Sequence, residues 1–193
     1  IDPFGGIWIE GLYLLANDQK VETPADADAF ISRVRALADA VDDTRRRLLA
    51  DAETGVLPPA ALLAETDRRI RSLIASQSAD LAMLNQSFAS LVLSLPDLPP
   101  TERDTLIGLC YELVSTDLVP AYARLADTLD DLTTKAPAQG GLWAQPQGHE
   151  THARLMAWLI NEDQSFDDLH EANMAEVNRR GAALQQALDA AGI

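Results

Sequence analysis

A single cysteine, Cys110, stands in a chain of 193 residues. No internal disulfide can form, and cysteine usage leaves the redox compartment unmarked. Aromatic residues are scarce at 5%, which argues against a sheet built on aromatic and β-branched pairs. Positive charge is short as well: 15 Lys and Arg face 30 Asp and Glu, for a net charge of −15. Phosphate backbones and anionic membranes repel such a polyanion, which excludes nucleic acid as a partner class. No apolar run approaches the length of a bilayer span. A Gly-rich phosphate loop, a paired Cys-x-x-Cys and a Gly-x-Ser-x-Gly elbow are all missing. With them go the local signatures of nucleotide binding, structural zinc and serine hydrolysis.

What is present favours helix. Hydrophobic residues reach 47%, an ordinary level for a packed core, and Ala and Leu dominate them. Ile1 to Val21 holds Gly5, Gly6 and Gly11 among Phe4, Ile7, Trp8, Ile9, Leu12, Tyr13 and Leu15. It reads as a docking arm with one short helix. Thr23, Pro24 and Asp26 form a helix start. Phe30, Val34, Leu37, Val41 and Leu48 follow as one stripe, and Gly55 and Pro58-Pro59 close the helix. A second helix is expected from Pro59 to Ala75 with Leu62, Leu63, Thr66, Ile70, Leu73 and Ile74 inward. Leu81 to Leu95 reads as a looser stretch with a short helix around Asn85 to Leu91. Thr101 and Asp104 repeat the capping pattern ahead of a long helix from Glu102 to Leu132, which Pro120 should kink. Ala136 to Gly148 is a Gly- and Pro-rich loop that Leu142 and Trp143 would pin to the core. A helix from Glu150 to Ile160 follows. Ser165 caps the last one, whose inward face is Phe166, Leu169, His170, Asn173, Val177, Leu184 and Leu188.

Candidate chemistry is thin. His149 and His152 flank Glu150 in a pattern close to a zinc-protease signature, but three residues apart rather than four, with no third ligand fixed. Polar residues at a helix start explain them equally well. His170 falls on an apolar face, where a hydrogen-bonded core histidine is the ordinary outcome and a pocket-lining role the other. Asp42-Asp43, Asp130-Asp131 and Asp167-Asp168 read as solvated faces. Arg45-Arg46-Arg47 and Arg68-Arg69 with Arg71 have Asp or Glu three or four residues away, so surface pairing is expected. The chain opens Ile1-Asp2-Pro3-Phe4 without an initiator methionine, as expected of a piece of a longer product.

Four stretches carry a family resemblance. They are Gly55-Val56-Leu57-Pro58-Pro59, Leu118-Val119-Pro120-Ala121-Tyr122-Ala123-Arg124-Leu125, Gly141-Leu142-Trp143-Ala144-Gln145-Pro146-Gln147-Gly148, and Asp168-Leu169-His170-Glu171-Ala172-Asn173-Met174-Ala175-Glu176-Val177. In order and spacing the chain resembles, from about Val21 onward, the bacterial family called domain of unknown function 885. Its members include many lipoproteins and secreted proteins. The resemblance implies a mostly helical parent about three times this length, and a gluzincin-like zinc hydrolase acting on peptides. The His-Glu-x-x-x-Gly-His-His type motif of such an enzyme would lie well downstream. That motif is absent from this chain, so no catalytic residue, metal ligand or cofactor site carries over, and zinc is expected only in the parent. Two positions depart from the family pattern: His152 stands where a tyrosine is usual, and Asn173 where a glycine is frequent. With His170 and Tyr122 they are the candidates to line a substrate cleft.

The expected fold is all-α: an irregular array of about five to six helices, one of them long and kinked at Pro120. Residues 1–22 form the arm, and residues 23–193 form a single helical domain, a fragment of a larger protein. Three functions fit. One is a non-catalytic wall of a zinc peptidase, partnered by the remainder of the parent polypeptide. The second is an autonomous acidic binding or scaffold domain. The third is a metal-binding sensor built on His149, His152 and His170. Localisation rests on the family, which points to the bacterial envelope or secretion.

Overall fold

The computed structural model describes residues 5–75, 79–160 and 165–192. Helix α1 (Ile7–Tyr13) runs on into a π-helical turn, Leu14–Asp18. Then come α2 (Pro24–Glu53), α3 (Ala60–Ile74) and α4 (Ala79–Leu93). Helix α5 (Pro100–Leu113) continues through π-helical Val114–Leu118 into α6 (Val119–Thr133). A 3-10 turn (Leu142–Ala144), α7 (Gly148–Ile160) and α8 (Phe166–Ala191) complete the order. With α5 and α6 taken as one rod, the described residues form seven helices and no strand, so the chain is all-α. Its residues group into two compact units, Ile1–Gly141 and Leu142–Ile193.

In the first unit α3 packs along α6, and α2 lies against α6, α5 and α1. Leu63, Ile70, Leu125 and Leu129 are fully buried, each contributing about 1.5–3 kcal/mol relative to exposure. Phe30 of α2 and Phe88 of α4 stack with centroids 4.4 Å apart and planes inclined by 22°. Thr23 caps α2 as the sequence predicts. Its hydroxyl accepts from the Asp26 N–H, and the Asp26 carboxylate accepts from the Thr23 N–H at 2.9 Å. At the other end Gly55 takes a left-handed φ of 81°, so that the Val56 N–H can reach back to Asp51 O at 3.0 Å. Leu57 is then buried, and Pro59 stands before the first turn of α3. The Gly55-to-Pro59 stretch is thus a stop, an anchor and a start.

The expected arm is docked. Trp8, Leu12, Leu15 and Val21 are buried, and the Tyr122 hydroxyl of α6 donates to the Trp8 carbonyl. Gly11 lets α1 approach α2: a Cβ there would stand 2.6 Å from Leu37 Cδ1. Phe4 of the arm lies outside the described residues.

Three details differ from expectation. Residues 79–93 form a regular helix rather than a loose stretch. Helix α4 packs against α1, α3 and α5, and a helix covered on several sides shows no clean apolar stripe. Leu62 is exposed while Leu63, Thr66, Ile70 and Leu73 are buried; Leu62, four residues before Thr66, stands at the edge of that face in the first turn of the helix. Thr101 is not a cap, because α5 starts at Pro100 after Pro99 with no side-chain cap bond.

The interruption expected at Pro120 takes a definite form. Proline has no N–H for the carbonyl four residues earlier, and its ring crowds that carbonyl. The turn ahead of it, Val114–Leu118, widens to the π form, and Leu118 and Val114 remain buried. The basic islands pair along their own helices as expected: Arg45 with Asp42, Arg46 with Asp43, Arg68 and Arg69 with Glu65, Arg71 with Asp67. Asp42 does more than face solvent, since it also accepts a two-pronged contact from Arg124 of α6.

The second unit is the 3-10 turn, α7 and α8. Ser165 caps α8 as predicted, accepting from the Asp168 N–H at 3.1 Å, and Gly192 ends it at φ 73°. Trp143 does not pin the loop, being 66% exposed. Most of the face of α8 expected to point inward is exposed, His170, Asn173, Val177 and Leu184 among it, while Leu169 and Leu188 are half-buried. Among the described residues of this unit no helix packs along α8. The helical period identifies an apolar face but not whether anything covers it.

Candidate functional site

The Gly141-to-Gly148 stretch folds back on the first turn of α7. Gln145 N–H bonds to Leu142 O at 2.9 Å, Gly148 N–H to Gln145 O at 3.0 Å, and Thr151 N–H to Gln147 O at 2.9 Å. Gln147 adopts a positive φ of 54° to make the bend. The fold-back needs Gly148: a Cβ there would lie 1.6 Å from Leu142 O and 2.5 Å from Leu142 C. Backbone meets backbone, so no side-chain rotation relieves the overlap.

This bend creates a cavity of about 670 Å³ lined by Leu142, Trp143, Gly148, His149, His152 and Asp167. Leu142 and Trp143 come from the 3-10 turn. His149 and His152 lie three apart on α7 and share one face of it. Asp167 comes from the first turn of α8, where the helix dipole favours its negative charge. A lining that combines an apolar aromatic part with two imidazoles and a carboxylate can take an amphipathic ligand.

Of the four candidates read from sequence, His152 alone lines this cavity, joined by His149. His170 and Asn173 are exposed on α8, outside that lining. The core-histidine outcome for His170 is therefore overturned: no apolar surface encloses it. Tyr122 is buried in the first unit, its hydroxyl committed to the Trp8 carbonyl, and burial pushes its pKa up. The sequence reading did not place Leu142, Trp143 and Asp167 at a site. The signal for it was Gly148, a glycine at a helix start directly before two histidines.

Zinc does not fit the residues of this chain that the structure describes. Among them no group of three His, Cys, Asp or Glu side chains converges, so His149 and His152 lack the further ligands a closed or catalytic zinc site uses. Cys110 is no substitute. It is buried in the first unit, its thiol donates to Asn85 Oδ1 at 3.5 Å, and burial pushes its pKa up to about 12. Among the described residues no helix is long and apolar enough to cross a membrane.

The first three stretches singled out in the sequence have structural duties. The fourth, Asp168 to Val177, has few: beyond the cap contact of Asp168, most of its side chains are exposed. That asymmetry marks α8 as the element with unfinished business in this chain.

Comparison with known proteins agrees with the all-α reading. The crystal structure of the "putative lipoprotein from Colwellia psychrerythraea" superposes with a TM-score of 0.83 at 23% identity. The match covers 100% of this chain and 33% of that one, so the chain spans about a third of its length. No curated protein matches. The profile described as "Bacterial protein of unknown function (DUF885)" matches residues 2–193, and the chain belongs to that family.

Proposed function

We propose that this chain is the helical, non-catalytic part of a zinc-dependent bacterial hydrolase acting on peptides, and that its second unit walls one side of the substrate cleft. The observation that carries the reading is the cavity that gathers Leu142, Trp143, His149, His152 and Asp167, while the described residues hold no group of three side chains able to bind a metal. Support also comes from the family and from a similar structure three times as long. In this reading the metal and the general base belong to the rest of the parent polypeptide. This chain binds and orients: Trp143 and Leu142 take an apolar substrate side chain, while His149, His152 and Asp167 take hydrogen-bonding groups.

The autonomous scaffold reading has one observation in its favour, the self-sufficient core of the first unit. It predicts a closed polar surface, against which stand Trp158, 78% exposed, and the largely exposed face of α8. The deciding experiment compares zinc-dependent peptidase activity of this chain with that of the longer gene product. Activity only in the longer protein, reduced there by Trp143→Ala through KM, supports the wall. Activity in neither protein removes the enzyme reading.

A further inference from the structure

Polar pairs run along both flanks of one stripe of helix α8: Arg179 and Arg180 pair with Glu176 on one flank, and Gln185 donates to Asp189 at 2.8 Å on the other. Between these flanks His170, Val177 and Leu184 recur every seven residues, with Asn173 and Met174 between the first two and Leu188 one turn beyond the last. Val177 is 60% and Leu184 62% exposed. At 26 residues the helix is about 39 Å long and its stripe from His170 to Leu188 about 27 Å, unlike the scattered apolar residues of an ordinary surface. An isolated amphipathic helix gains most of its stability from a partner on its apolar face.

We infer that this face of α8 docks against an apolar helical surface belonging to a further segment of the same, longer polypeptide. The inference rests on the reading above only in so far as the chain is part of a longer protein. Two observations choose the occupant. The chain shares its fold over its whole length with a protein three times as long, so the like helix there has twice this chain's length of further polypeptide available to cover it. A second copy is disfavoured by charge, because α8 itself carries Asp167, Asp168, Glu171, Glu176 and Asp189 against Arg179 and Arg180, and pairing two copies would set like charge against like. Asn173 and His170 within the stripe add polar positions that fix register against a specific partner rather than against any apolar surface.

The test is hydrogen exchange by mass spectrometry on peptides covering residues 168–190, in this chain and in the longer gene product. In this chain α8 exchanges fast at every protein concentration. In the longer protein it slows by about 100-fold or more, since several apolar side chains are removed from water. Val177→Asp with Leu184→Asp in the longer protein returns α8 to fast exchange, while peptides from α2 and α6 keep their protection and report that the first unit is folded. Equal exchange of α8 in both proteins overturns the inference. So does protection in this chain that rises with concentration alongside a dimer in sedimentation, which would assign the face to a second copy. Neither readout involves activity: a longer protein with α8 protected and no peptidase activity keeps the docking and refutes the enzyme.

Discussion

Replacing Gly148 by alanine adds one methyl group and should open the cavity that Gly148 lines. Its Cβ would stand 1.6 Å from Leu142 O, about half the 3.0 Å that real Cβ contacts keep. Two exits exist. The 3-10 turn can lift off α7, carrying Leu142 and Trp143 out of the cavity wall. Otherwise the first turn of α7 can unwind, breaking Gly148 N–H to Gln145 O and Thr151 N–H to Gln147 O. Either loses about two backbone hydrogen bonds at ~1 kcal/mol each plus the packing of Leu142, together about 2–4 kcal/mol. The helix preference of alanine over glycine offsets at most about 1 kcal/mol. Net of that offset the lower bound is about 1 kcal/mol, so peptides over residues 142–155 should exchange at least about fivefold faster, with no change in α2 or α6. A variant whose exchange there stays within about threefold of the parent refutes the steric argument. Gly108→Ala is the contrast. Gly108 is mid-helix in α5 with nothing within 4 Å of an added Cβ, so its urea midpoint should rise by an equivalent of about 0.5–1 kcal/mol.

Tyr122→Phe removes the bond that ties α6 to the arm and should lower stability by about 1 kcal/mol, with faster proteolysis near Trp8 as the local sign. Asp42 is held below its ordinary 3.8, first by the hydrogen bond from Arg124, with burial opposing. A depressed carboxyl stabilises the fold above its unfolded pKa, and that contribution is lost as pH falls through the folded value. Urea midpoints followed downward from pH 6 should therefore fall below about pH 4, and Asp42→Asn should flatten the fall by up to ~1 kcal/mol, since Arg124 is half exposed. Cys110 should resist a thiol reagent at pH 8 in the folded chain and react once urea unfolds it; prompt reaction of the native protein would contradict its burial.

The sequence was most informative where local chemistry decides the structure. Thr23 with Asp26 and Ser165 with Asp168 mark helix starts because a short polar side chain beside free N–H groups has one best use. Pro120 and Gly55 were legible for the same reason. Leu62 and the 79–93 helix were not, since burial depends on which neighbours arrive from elsewhere in the chain. The site was legible in part: His149 and His152 drew attention as possible ligands, but their surroundings, a 3-10 turn folded onto Gly148, depend on a backbone approach that no spacing rule encodes. The α8 stripe reads correctly as an apolar face. What the period cannot supply is the partner.

The π-helical stretch before Pro120 has a consequence for how one rod serves two neighbourhoods. Each residue of an α-helix turns the next side chain by about 100°, so a stretch that wraps one extra residue resets the phase of everything after it. Helix α5 can thus present Cys110 and Leu113 toward α4 and α2, while α6 presents Tyr122, Leu125 and Leu129 toward the arm and α3. The turn acts as a gear between two seams on a single axle. Deleting one residue from 114–118 would restore a uniform helix, and it would swing the whole α6 face away from α3 without altering any residue that touches it.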